Sequence, residues 1–160
     1  MVALTRRIEV TLETQLDSVD LGEQIALRVA GAAGFDEEEQ HKIGMAVREG
    51  IINAYQYGNR QQRGKKIFLN FELAADRLIV EVLDQGTGFD LHQVPDPLAE
   101  ENLLKTSGRG IFLIRCFMDE LDVQRGPQGG ARLIMTKRYP PHLRSNLSPG
   151  PHRETPRRSD

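Results

Sequence analysis

Ile67–Gly88 reads IFLNFELAADRLIVEVLDQGTG. Ile67, Leu69, Phe71 and Leu73 alternate, and Leu78, Val80 and Val82 resume the alternation after Ala75-Asp76. A period of two marks strands that press one face on a core. A connection this short joins them as a hairpin. Sequential strands joined by a turn, without regular strand–helix alternation, predict an α+β protein rather than a parallel α/β sheet.

Working back from the hairpin, Ile8, Val10 and Leu12 alternate with polar residues as another half-buried strand. Val19–Ala33 carries Ile25, Ala26 and Val29 on one helical face, with Gly34 just past its end. Asp36 opens a second helix, with Glu39 at the capping-box position three residues on. That helix is predicted to run to about Tyr57 and to stop at Gly58-Asn59. Forward of the hairpin, Gln85–Ser107 keeps neither period and contains Pro95 and Pro97, the character of a lid or an insert. A third helix over about Arg109–Met118 and a last hairpin, Leu121–Arg125 with Ala131–Arg138, complete the order. The predicted architecture is a two-layer sandwich, a mostly antiparallel mixed sheet with helices packed on one face.

The 160 residues suit one domain over 1–138, with a lid at about 89–107, followed by a Pro/Arg/Ser-rich tail over 139–160. Five of the eight prolines lie beyond Tyr139, and there only Leu143 and Leu147 could join a core, so the tail is expected to be disordered. With 21 Lys and Arg against 23 Asp and Glu, nothing suggests a broad nucleic-acid surface, and no direct nucleic-acid partner is expected. No apolar run is long enough to span a bilayer, and Met1–Arg7 is unlike a signal peptide, so no membrane partner is expected. The single cysteine, Cys116, rules out an internal disulfide framework and fits a reducing, cytoplasmic location. Among Ile111, Phe112, Ile114 and Phe117 it reads as a small packed hydrophobe.

Three segments carry candidate chemistry. On the second helix Ile43, Ala46, Val47, Gly50, Ile51 and Ala54 form one stripe, while Met45 and Ile52 lie nearly opposite, so burial on both sides is expected. Glu49 and Asn53, four residues apart, share one flank beside the stripe. A hydrated Mg²⁺ with phosphates would satisfy such a carboxylate and amide; so would a structural hydrogen bond or a solvated edge. Asp84-Gln85-Gly86-Thr87-Gly88 follows a strand directly, and its acid could accept from an exocyclic amine while the glycines make room for a flat base. Ser107-Gly108-Arg109-Gly110 opens the third helix, where freed backbone N–H groups suit an anion. Each of the last two is a common turn when taken alone. The three together are the parts of a Mg·ATP pocket.

REGIINAYQYGN (Arg48–Asn59) resembles the N box of the GHKL ATPases and kinases, Asp84–Gly88 matches their D-x-G-x-G box, and Gly108–Gly110 matches their later G-x-G box. The lid PDPLAEENLLKTS (Pro95–Ser107) and the run GRGIFLIRCFMDEL (Gly108–Leu121) are similar to the anti-sigma-factor serine kinase branch. The resemblance implies the Bergerat, histidine-kinase-like ATPase fold, with ATP and Mg²⁺ bound. It implies Asn53 as Mg²⁺ ligand, Asp84 as acceptor from adenine, Gly86 and Gly88 shaping the base site, and Gly108, Arg109 and Gly110 around the phosphates. Lys105 and Ser107 would reach phosphate from the lid, and Glu49 would be the general base. The implied activity is phosphorylation of a serine on a STAS-domain anti-anti-sigma protein, coupled to sequestration of a sigma factor. Family analogy extends to a homodimer. The family's last strand usually begins Gly-Gly-Thr; here Ala131 follows Gly130, removing a hydroxyl that could hold adenine through water.

Retention of Glu49 favours an enzyme over a nucleotide-gated binding module. A histidine-kinase catalytic piece is disfavoured, because no dimerising helix with a phospho-acceptor histidine precedes Ile8, and a chaperone-type ATPase because no transducer domain fits. His41, His92, His142 and His152 show no metal-ligand spacing with the cysteine, so no zinc site is expected.

Overall fold

The computed structural model of the protein describes residues 5–87 and 108–144. The strands are β1 (Arg6–Glu13), β2 (Lys66–Leu73), β3 (Arg77–Leu83), β4 (Glu120–Arg125) and β5 (Ala131–Arg138). The helices are α1 (Asp17–Ala33), α2 (Glu37–Asn53), α3 (Gly108–Phe117) and a single turn, α4 (Pro141–Arg144). The strands form one five-stranded sheet in the order β1-β2-β3-β5-β4, and every described pairing is antiparallel. The fold class is therefore the α+β sandwich expected.

Register follows the alternation in the sequence. Phe71 pairs with Ile8 on one side and Val80 on the other, and Val82 pairs with Leu69 and Leu133. Ile67, Leu69, Phe71, Leu78, Val80, Val82, Leu133 and Met135 consequently share one buried face. Against it lie Val19, Ala26, Val29 and Ala30 of α1, Ile43, Ala46, Val47 and Ile51 of α2, and Ile114 of α3. Each large side chain buried here stabilises the fold by roughly 1.5–3 kcal/mol. Among the described residues, no element covers the opposite face.

Local chemistry sets the helix ends. Gly34 takes φ 98 after α1, and Phe35 N–H closes back to Ala30 O at 3.1 Å, the left-handed helix stop that glycine makes at least cost. Asp36 Oδ1 accepts from Glu39 N at 2.9 Å and caps α2. The Glu39 side chain is engaged elsewhere: Lys137 Nζ lies 2.8 Å from its Oε2 and also donates to Phe117 O at 2.8 Å. This lysine ties the start of α2 to β5 and the end of α3, and its hydrogen bond holds the Glu39 carboxyl below the usual carboxylate range.

Three expectations are corrected by packing. Met45 is 42% exposed, because α1 and α3 flank α2 and leave that side open; Ile52 is partly buried against the core. Cys116 is exposed, since α3 turns Ile111, Ile114 and Met118 inward. Past β5, Tyr139 is buried with its ring 5.4 Å from that of Phe35, and Leu143 packs on the core from α4, so apolar burial runs on past 138. Among the described residues, no helix is long and apolar enough to cross a membrane.

Candidate functional site

The end of α2 builds one wall of the site. From Ala54 to Gly58 the helix widens into a π-turn, and Asn59 N–H donates to Ala54 O at 2.7 Å, five residues back. Arg60 and Gln61 then take φ 50 and 59 while Gln61 N–H returns to Tyr55 O at 2.8 Å, which ends the helix without a glycine at either position. The sequence places the stop correctly at Gly58-Asn59 but gives no sign of the wider turn.

Asp84 stands at the end of β3, facing this wall, and is 7% exposed. Its Oδ1 accepts from Gly86 N at 2.9 Å and Ala131 N at 3.1 Å. Among the described residues Oδ2 has no donor. Burial raises the carboxyl above the usual aspartate range, with the two backbone N–H groups opposing the shift. Such a carboxylate gains from any donor that reaches Oδ2, and an amine on a flat heterocycle is one.

Glycines let the backbone close in around Asp84. A β-carbon on Gly86 would lie 2.3 Å from Gly58 O, and one on Gly130 would lie 2.0 Å from Asp84 O. No side chain larger than hydrogen fits either place without moving backbone. Beside these close approaches lies a cavity of about 290 Å³, bounded by Asn53, Tyr57, Asp84 and Gly86, with Val82, Ile111 and Leu133 as its apolar floor. A cleft that is largely apolar with a few polar groups at fixed places is the usual form of a small-molecule site.

At the far end α3 meets α2. A β-carbon on Gly110 would stand 2.9 Å from Glu49 Oε2 and 3.7 Å from the amide atoms of Asn53. The first turn of α3 is thus brought to the flank that carries Glu49 and Asn53, and a helix start, with its unpaired backbone N–H groups, is where an anion is favoured. Asn53 lines the cavity, whereas Glu49, one turn back, does not. An amide oxygen and a carboxylate beside a helix start form a donor set suited to a hard cation carrying phosphate, so the residues present fit Mg²⁺. No group of three or more His, Cys, Asp or Glu fit to hold a metal occurs among the described residues.

Of the expected site residues, Glu49, Asn53, Asp84, Gly86 and Gly110 converge here. Gly108 and Arg109 belong to the opening turn of α3. Gly88, Lys105, Ser107 and the rest of the lid lie outside the described residues. Gly58 and Gly130, which crowd Asp84, and Asn59, which holds Gln85 from behind the site, carry no assigned role in the sequence reading. In sequence Gly58 and Asn59 read as a helix stop and Gly130 as a hairpin turn, although Gly58 and Asn59 close the stretch that resembles the N box and Gly130 precedes the position where the family's last strand carries threonine.

The family model described as Histidine kinase-like ATPase domain matches residues 12–137. The Serine-protein kinase RsbW of Listeria innocua is 28% identical over 143 residues, covering 86% of this chain and 90% of the relative. The Serine-protein kinase RsbW of Bacillus subtilis is 29% identical over 136 residues, covering 81% and 84%. That of Bacillus licheniformis is 30% identical over 115 residues, covering 68% and 71%.

Proposed function

Because this chain belongs to the histidine kinase-like ATPase domain family, we propose that it is an ATP-dependent protein serine kinase serving as an anti-sigma regulatory factor. Its substrate would be a serine of a STAS-domain anti-anti-sigma protein, and its second partner a sigma factor held when that antagonist is phosphorylated. Both partners, and a homodimer of this chain, come from the family reading, as does work in the cytoplasm. The relatives' own names, serine-protein kinases, support the activity. The observation that carries the reading is the convergence of Asn53 and Glu49 on Gly110 at one end of a cleft whose other end holds Asp84.

In this reading Asp84 Oδ2 accepts from the adenine amine, and Gly86 and Gly88 leave the base its plane. Asn53 would hold Mg²⁺, Gly108, Arg109 and Gly110 would surround the phosphates, and Lys105 and Ser107 would reach them from the lid. Mg²⁺, when bound, neutralises charge on the phosphate oxygens. Glu49 accepts the proton of the partner serine as its oxygen meets the γ-phosphorus, and the P–O bond to ADP breaks.

One observation favours an alternative, a nucleotide-gated binding switch without significant kinase activity: Glu49 does not line the cavity. Transfer of radiolabelled γ-phosphate from ATP to a STAS partner, with that partner's acceptor serine replaced by alanine as control, separates the two. Label on the serine is expected. No label on a STAS partner that the protein demonstrably binds would leave only the switch.

A further inference from the structure

Asn59 is fully buried, does not line the cavity, and spends its amide on three different segments. Its Nδ2 donates to Thr14 Oγ1 at 2.8 Å and to Lys66 O at 2.9 Å. Its Oδ1 accepts from Gln85 N at 2.7 Å. The Thr14 hydroxyl donates its own proton to Lys65 O at 2.6 Å, so it can only accept from Asn59, which fixes which way the amide points. A second clasp runs alongside, Lys66 N donating to Gln85 Oε1 at 2.6 Å.

The segment being clasped is the one that aims Asp84. Gln85 stands between Asp84 and Gly86, and Gly86 both donates to Asp84 Oδ1 and abuts Gly58 O. Fixing Gln85 N on the end of α2 therefore fixes the turn that decides where Oδ2 faces. A buried polar network is costly unless every member is paired, and an apolar side chain would hold a core together as well. What the amide adds is direction.

We propose that Asn59, with Thr14 behind it, is a positioning residue for purine recognition: it holds the Asp84 turn so that the site selects a base bearing an amine over one bearing a carbonyl. This rests on the nucleotide reading above. Guanine would turn its carbonyl oxygen toward Oδ2 where adenine offers an N–H donor, so the ratio of ADP to GDP affinity reads the aim of Asp84 directly.

The test is calorimetric titration of ADP and GDP, each with Mg²⁺, into the wild type, Asn59→Ser, Thr14→Val and Thr14→Ser, with thermal melts of each. Neither Thr14 nor Asn59 lines the cavity. Asn59→Ser is expected to cut the preference for ADP roughly tenfold, and Thr14→Val about threefold, the scale of one lost buried hydrogen bond. Thr14→Ser, which keeps the hydroxyl, should restore wild-type preference. In turnover the loss should fall on KM for ATP and spare kcat, because Glu49 and Asn53 lie at the far end. A merely structural role would lower the melting temperature and leave the preference intact, and that result in folded variants overturns the proposal. If Asn59→Ser does not fold, the Thr14 pair decides alone. A wild type that binds neither nucleotide overturns the nucleotide reading itself, a failure distinct from variants that bind ADP with unchanged preference.

Discussion

A β-carbon placed on Gly58 would stand 2.1 Å from Asp84 Oδ2 and 2.3 Å from its Cγ. The carboxylate cannot swing clear without leaving the two backbone N–H groups that hold Oδ1. Gly58→Ala is therefore expected to destabilise the fold by about 1–3 kcal/mol, as overpacking does, and to weaken ADP binding more than tenfold. Gly129→Ala is the contrast. At φ 91 with nothing within 4 Å of the added carbon, it should cost about 1 kcal/mol through the backbone and leave binding unchanged. Melts and calorimetry on both variants check the pair.

Asp84→Asn should separate stability from binding. Burial raises the Asp84 carboxyl in the folded state, so the folded protein binds this proton more readily than the unfolded chain. Its contribution to stability is fullest below the unfolded pKa and is lost as pH rises through the folded one. At neutral pH the variant carries no buried charge and should melt at the wild-type temperature or above, while ADP affinity falls at least tenfold, because an amide N–H now faces the amine. In the wild type, affinity should decline on acidification at a higher pH than an ordinary aspartate would give. A variant that melts lower and binds normally would contradict both halves.

Glu49→Gln preserves size and polarity but removes basicity. With Glu49 held off the cavity wall, nucleotide affinity is expected to stay within about threefold of wild type, the scale of a minor contact. Phosphoryl transfer to the partner serine should fall by roughly 10²–10⁴-fold. Single-turnover label transfer at saturating ATP measures the second quantity without the first.

The hairpin over 67–83 was legible because alternation and a two-residue turn leave little else to build. Gly34 and Asp36 were equally plain, each being the residue type that its backbone position demands. Met45 and Cys116 were misread for a common reason: a helical wheel gives angles on one helix, whereas exposure depends on which neighbours arrive. Glu49, Asn53 and Asp84 could be singled out as polar groups in apolar settings. Asn59 could not, since an asparagine beside a glycine at a helix end already has a sufficient local explanation, and its partners at Thr14 and Gln85 are 45 and 26 residues away in sequence.

Leu143, which the composition assigns to a disordered tail, packs beside Gly34, and a β-carbon on that glycine would lie 3.2 Å from both Leu143 methyls. Ending the chain after Arg144 should leave the melting temperature nearly unchanged, within the ~0.5 kcal/mol typical of surface changes. Ending it at 138 removes Tyr139 as well and should cost about 3 kcal/mol or more. Denaturant midpoints of the two truncations distinguish a core that closes at β5 from one that closes on α4.

The π-turn at Ala54–Gly58 has a consequence for chain length. Asn59 closes on the fifth residue back, so the turn holds one residue more than an α-helix would use. Removing any one of residues 54–57 lets the helix rewind, rotating the downstream chain by about 100° and drawing it back about 1.5 Å along the axis. Gly58 would then leave Asp84, and Asn59 would leave Thr14, although not one of the contacting residues had been altered. The exposed stretch just beyond, Gln61–Gly64, is the kind of surface loop that ordinarily tolerates gaps. Within a few positions, then, the chain passes from a length that can drift to one that cannot, and a gap on the helical side would empty the site although Asp84, Gly86 and Gly110 were all still present.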